Sequence, residues 1–177
     1  MTEITVFGQP SSLMEVFGII TGILGVWFTI RKNILCFPLG IVNVTIYAFM
    51  FSSEGIRLYA DAILQCIYLL LLIYGWIQWK KSRKTFDTFY YPAKLFTTKL
   101  IYISFLAYFL LAFFLQEFTN ASLPWLDSAL TILSLVAQWM IARKLIANWI
   151  IWIIVDAVYV PLYFYKGLPM TSVLYLI

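Results

Sequence analysis

The 177-residue chain has no histidine, only two cysteines, and just eight acidic and twelve basic residues, so charged side chains make up 11% of it. Each shortage excludes something. Without histidine there is no Ser-His or Cys-His dyad and no imidazole ligand. There is also no metal-ligand cluster, no Gly-rich phosphate loop, and no Ser or Cys beside a plausible base, so an enzyme is not expected. Cys36 and Cys66 fall in different apolar runs, which argues for neither a disulfide nor a metal site, and no cofactor is expected. The scarcity of charge, with 63% hydrophobic residues and a mean hydropathy of +0.92, excludes an ordinary soluble domain.

What is present is a succession of apolar runs long enough to cross about 30 Å of hydrocarbon at about 1.5 Å per residue. Seven spans are predicted: Leu13 to Ile30, Ile34 to Phe51, Leu58 to Trp79, Thr97 to Gln116, Trp125 to Ala142, Ile146 to Tyr165, and Leu168 onward. The runs are continuous rather than alternating, which favours an all-α integral membrane protein over a barrel. Ten of the twelve Lys and Arg residues fall on one side: Arg31, Lys32, six between spans three and four, Arg143 and Lys144. Arg57 and Lys166 are left for the other side. Basic residues in short loops stay in the cytoplasm, so the amino terminus is expected outside and the carboxyl terminus inside. The first residues lack a positive flank and a small-residue cleavage site, so a removed signal peptide is not expected.

Laid on itself so that Arg31-Lys32 falls on Arg143-Lys144, the sequence shows a repeat that needs no gap. Trp27 meets Trp139, Ile34 meets Ile146, Tyr47 meets Tyr159, Gly55 meets Gly167, and Glu15 meets Asp127. The plan this predicts is a first three-helix bundle over 13–79, a basic cytoplasmic loop and linker helix over 80–124, and a second bundle over 125–177. The odd linker helix makes the repeat parallel, a SWEET-like 3+1+3 arrangement with a site near mid-membrane. Gln65 maps onto Ile177, so the second bundle is expected to be short at its carboxyl end.

Polar residues inside the spans mark the candidate site. Asn148, Trp152 and Asp156 follow i, i+4, i+8 spacing and share a helix face, with Trp149 beside them. Aromatic area, an amide and a carboxylate together suit a flat, polar, cationic ring. A mid-membrane carboxylate is costly unless it is paired or used, and proton coupling is a second role for Asp156. Asn148 as a helix cap and Trp149 as an interface residue are the structural alternatives. In the third span Gln65 and Tyr68 could face the same cavity, and Asn43 and Tyr47 in the second are weaker additions that an interhelical hydrogen bond would explain equally well. Asp61 suits a solvated helix start, and Trp76 and Trp79, just before KKSRK, read as interface anchors. Pro38 and Pro161 are expected to interrupt their helices.

The run LYADAILQCIYLLLLIYGWIQW, the PLGIVN stretch with a Tyr four residues on, the basic pair after span one, and RKLIANWIIWIIVDAVYVPLYFYKGL resemble the PnuC family of bacterial vitamin transporters. The likeness runs from about Glu15 to Ile177. It implies facilitated uptake, above all of nicotinamide riboside, across the inner membrane by alternating access, with trapping by a separate cytoplasmic kinase. A small homo-oligomer, such as a trimer, is also implied. By motif, Asn148, Trp149, Trp152 and Asp156 stand for the sixth-helix contacts, and Gln65 and Tyr68 for those of the third. Where the family pattern often has an acidic residue before the Asn-Trp pair, this chain has Ala147. Related carriers take thiamine, riboflavin or deoxynucleosides, and these stay open as cargo. A substrate-capture subunit of an ATPase-driven vitamin uptake complex is the rival class, although six spans without a parallel duplication would be expected of it. A retinal-type receptor would need a Lys in LPMTSVLYLI, which has none.

Overall fold

The computed structural model describes residues 3–6, 9–52, 59–81, 98–119 and 123–165. Among them a short hairpin, β1 (Glu3–Val6) and β2 (Gln9–Ser12), precedes six helices: α1 (Leu13–Ile30), α2 (Cys36–Ser52), α3 (Tyr59–Lys81), α4 (Thr98–Phe118), α5 (Pro124–Ala142) and α6 (Asn148–Tyr165). The six lie within two residues of the first six predicted spans at every boundary. The seventh, from Leu168, lies outside the described residues, as does most of the basic loop after Lys81. The antiparallel hairpin, with Glu3 opposite Ser12 and Val6 opposite Gln9, was not expected; Ile4, Thr5 and Val6 are its β-branched signal.

The helices form because the apolar runs leave the backbone to satisfy its own polar groups. Segments Ile63–Lys81, Lys99–Phe118 and Pro124–Ala142 are long and apolar enough to cross a membrane, and Val16–Ile30, Cys36–Ser52 and Asn148–Leu162 are shorter apolar helices. Helix α4 exposes Ile101, Phe105, Leu106, Leu110 and Phe113 around its circumference and buries only Ala112 among its described core residues. In water such a surface would be an aggregation liability; in lipid it is solvated. Pro38 does not interrupt α2: as its third residue it falls where a backbone N–H has no intrahelical partner to lose. Pro161 lies inside α6, which continues to Tyr165.

The chain divides into two compact units, Met1–Thr88 and Phe89–Ile177. In the first, α1 packs on α2 and α2 on α3. Gly18, Gly22 and Gly25 let the α1 and α2 backbones close: a Cβ at Gly18 would sit 3.0 Å from the Tyr47 ring, one at Gly22 3.2 Å from Asn43 Nδ2, and one at Gly25 3.9 Å from the Gly40 nitrogen. On the other side of α2, a Cβ at Gly40 would come within 2.9 Å of Leu72. The Phe37 ring meets Trp79 edge-on at 5.0 Å, and both are fully buried. Trp79 is therefore a core residue, not the interface anchor expected from its place before the basic loop. Trp76 keeps an anchor's contact, with Lys80 Nζ 4.4 Å from its ring centroid.

In the second unit α4 packs on α5, and α5 on α6. Trp125 Nε1 donates to Gln116 Oε1 at 2.8 Å across the α4–α5 turn. The core between α5 and α6 is Leu130, Val155 and Leu162, with Leu126, Ile151, Trp152, Val158 and Tyr159 packed against it. A second cluster of Met140, Leu145 and Ala147 closes the turn between them.

The turns after α1 and α5 are alike in detail. Lys32 N donates to Thr29 O at 3.0 Å and Asn33 N to Phe28 O at 2.8 Å; after α5, Lys144 N donates to Ile141 O and Leu145 N to Met140 O, both at 2.9 Å. This is the paired closure of a Schellman motif, with lysine at the left-handed position, φ 55° at Lys32 and 57° at Lys144. Arg31 lies over Trp27 at 4.9 Å and Arg143 over Trp139 at 5.8 Å. The next helix starts at Cys36 in one unit and at Asn148 in the other, each four residues after the left-handed lysine.

Candidate functional site

Helix α6 carries most of the predicted site because its sequence is a single apolar run with polar groups along one side. Ile150, Ile153 and Ile154 are exposed, while Asn148, Val155 and Leu162 are buried. Trp152 belongs to the inner side, packed against the core that joins α6 to α5, and Trp149 and Asp156 are half-buried beside it. The i, i+4, i+8 set of Asn148, Trp152 and Asp156 is thus brought onto one helix face. Asp156 is the only charged residue in the α6 sequence.

Asn148 is the unusual member. It is fully buried, its Nδ2 donates to Leu145 O at 2.5 Å, and its Oδ1 is buried with no hydrogen-bond partner among the described residues. A capping asparagine would use that oxygen to accept from the first-turn N–H groups, so the cap reading does not hold. Leaving a buried acceptor unmade costs about 1–3 kcal/mol, so a group in that position asks for a ligand, a water or a strain to account for it.

Helix α3 presents the other set. Gln65 and Tyr68 are half-buried and continue the i, i+3, i+7 stripe that runs through Leu72, Gly75 and Trp79. This places them on the α3 side that packs on α2 within the first unit. Asp61 lies in the first turn of α3, and its side chain is outside the described residues.

Asn43 and Tyr47 of α2 meet α1. Asn43 Nδ2 donates to Gly18 O at 2.6 Å and approaches Thr21 Oγ1 at 3.5 Å, and the Tyr47 ring covers Gly18. Both contact the α1–α2 seam, where an interhelical hydrogen bond is the alternative that the spacing had left open. The partners Gly18 and Gly22 were visible in the sequence only as a small-residue face, and nothing in the spacing paired them with Asn43.

The chain matches the family model described as nicotinamide mononucleotide transporter over residues 12–177. It is 24% identical over 198 residues to the nicotinamide riboside transporter PnuC of Escherichia coli, covering 96% of this chain and 82% of that protein. It is 26% identical over 163 residues to the PnuC of Neisseria mucosa, covering 88% of this chain and 61% of the relative. The riboflavin/roseoflavin transporter RibM of Streptomyces davaonensis is 22% identical over 176 residues, with 97% and 81% covered. Among solved structures, the crystal structure of the vitamin B3 transporter PnuC superposes with a TM-score of 0.67 at 25% identity, covering 94% of this chain and 77% of that one. With apolar helices throughout and a family match spanning nearly its whole length, the chain is a multi-pass membrane transporter and belongs to the nicotinamide mononucleotide transporter family.

Proposed function

We propose that the protein takes up nicotinamide riboside by facilitated diffusion, by alternating access between two three-helix bundles in the SWEET-like 3+1+3 arrangement. In this reading the seventh span follows Leu168, the amino terminus is outside and the carboxyl terminus cytoplasmic, as the ten-to-two distribution of basic residues supports. A cytoplasmic kinase traps the cargo, and the protein works as a small homo-oligomer. Trp152, with Trp149 beside it, stacks on the cationic pyridinium ring and Asp156 complements its charge. Asn148, Gln65 and Tyr68 take the hydrogen-bonding groups of the carboxamide and ribose.

The observation that carries this reading is the Oδ1 of buried Asn148, which has no partner among the described residues and lies on the same face as Trp152 and Asp156. An acceptor held ready in an apolar site asks for a donor on the ligand, and a primary carboxamide or a ribose hydroxyl is one. The single charge on α6 is negative, so a phosphomonoester would meet a carboxylate with no basic side chain on that helix to offset it. The nucleoside is therefore favoured over the nucleotide.

Riboflavin is the second reading, supported by the similarity to RibM. The two differ in charge, because the isoalloxazine ring is neutral. Calorimetric binding of nicotinamide riboside, nicotinamide mononucleotide, thiamine, riboflavin and thymidine to the purified protein tests both. Nicotinamide riboside should bind, Trp152→Ala should weaken it by about 2 kcal/mol, roughly 30-fold, and Asp156→Asn should weaken it less. Binding of riboflavin alone, indifferent to Asp156→Asn, would transfer the assignment to the flavin.

A further inference from the structure

Inside the first unit Asn43 makes a directional contact across a seam lined by glycines and the Tyr47 ring. Asn43 of α2 donates to the Gly18 carbonyl of α1 at 2.6 Å and reaches Thr21 Oγ1 at 3.5 Å. The Thr21 hydroxyl donates back to Phe17 O at 2.8 Å and Gly18 O at 3.0 Å, so the amide and the hydroxyl converge on one backbone carbonyl. The approach exists only because Gly22 has no side chain, since a Cβ there would lie 3.2 Å from Asn43 Nδ2. Glycine-on-glycine packing brings backbones close but does not fix how far one helix slides along the other. A single amide bond does, and hydrocarbon offers no water to replace it. At the repeat-related positions of the second unit stand Leu130, in place of Gly18, and Val155, in place of Asn43, both buried in an apolar core with no such bond.

We infer that Asn43 is a positioning residue for transport: its amide pins α1 to α2 so that the first three-helix unit moves as one body, and it acts through α1 without touching the cargo. The inference rests on the transport reading above. It separates two quantities that a ligand contact would move together. Losing the pin leaves the binding residues in place and spoils the transmission of motion between helices.

The test compares wild type, Trp152→Ala, Asn43→Val and Gly22→Ala. Binding of nicotinamide riboside is measured in nanodiscs, and saturated uptake per folded protein in proteoliposomes. Asn43→Val and Gly22→Ala should bind within about twofold of wild type, yet transport about three- to tenfold more slowly, the scale of one lost interhelical hydrogen bond. Gly22→Ala keeps the amide and only displaces it, so it serves if Asn43→Val folds poorly. A loss of affinity like that of Trp152→Ala would make Asn43 a ligand contact, and unchanged uptake would make it packing alone; either overturns the inference. Hydrogen exchange of the α1 amides supplies an arm independent of cargo: it should quicken in Asn43→Val while α5 exchange is unchanged, and unaltered α1 exchange also overturns the pin. Failure of wild type to take up nicotinamide riboside, or retained binding in Trp152→Ala, would instead sink the substrate reading and leave the exchange result to judge Asn43.

Discussion

The two units solve the same packing problem with opposite chemistry. Where α1 meets α2, the first unit places Gly18, Gly22 and Gly25, with Tyr47 and Asn43 against them, and Gly40 of α2 faces Leu72 of α3. With Arg31-Lys32 laid on Arg143-Lys144, the second unit has Leu130, Ser134, Ala137 and Trp152 at the aligned positions, with Tyr159 and Val155. Leu130, Val155, Trp152 and Tyr159 belong to one hydrophobic cluster. The first seam is close, small and polar at one point; the second is bulky and apolar, and it carries an indole where its counterpart has a glycine. Bulk at the Gly40 position would collide with Leu72, whereas the same position on α6 supplies the Trp152 ring assigned to cargo. The turns that lead into α2 and α6 keep the same geometry, so the divergence lies in the faces of the helices and not in how they are joined. Cys36 and Asn148, the first residues of α2 and α6, repeat the contrast: one is a small thiol buried in the core, the other an amide with an acceptor left over.

That contrast can be broken first at Leu130. It is 2% exposed at the centre of the apolar seam, so Leu130→Ala should cost about 2–5 kcal/mol, the largest effect expected of any single change here. Thermal unfolding in detergent reads it. A loss below about 1 kcal/mol would mean that the second seam is not held by its apolar core. Asn148→Leu comes next and has two opposed signs. It replaces an acceptor with no partner among the described residues by an apolar side chain at a fully buried position, so the ligand-free protein should gain about 1 kcal/mol of stability in thermal unfolding. Binding of nicotinamide riboside should fall by about 1–3 kcal/mol in the same variant. Lower stability together with intact binding would show that Asn148 serves the fold and not the cargo.

Much of this was legible in the sequence, for physical reasons that can be named. Helix limits were readable because uninterrupted apolar runs between basic pairs leave hydrocarbon-spanning helices few places to begin or end. The shared face of Asn148, Trp152 and Asp156 followed from periodicity alone. Partnership was not legible. Spacing put Asn43 and Tyr47 on one face of α2 but could not say that α1 covers that face, because a glycine stripe declares close packing without naming its partner. Trp79 misled for a related reason: position before a basic loop suggests an interface, but burial is decided by Phe37 on another helix. The hairpin before α1 was missed because four-residue strands carry too little pattern to stand out beside eighteen-residue apolar runs.

The finest comparison is between the twin lysines. Lys32 and Lys144 hold φ of 55° and 57°, where a Cβ crowds the following carbonyl and glycine is at ease. If the turns were equivalent, Lys32→Gly and Lys144→Gly would change stability alike. They differ in surroundings: Lys32 is exposed, so its charge interactions are screened, whereas Lys144 is only 6% exposed and its long side chain is buried. Lys32→Gly should therefore stabilise by about 0.5–1 kcal/mol through relief of the left-handed strain, net of the freedom glycine adds to the unfolded chain. Lys144→Gly gains the same relief but loses buried contacts, and it should come out neutral or destabilising. Equal gains at both positions would mean that the Lys144 side chain contributes nothing to its turn, and the asymmetry between the units would then begin beyond Leu145, at Asn148.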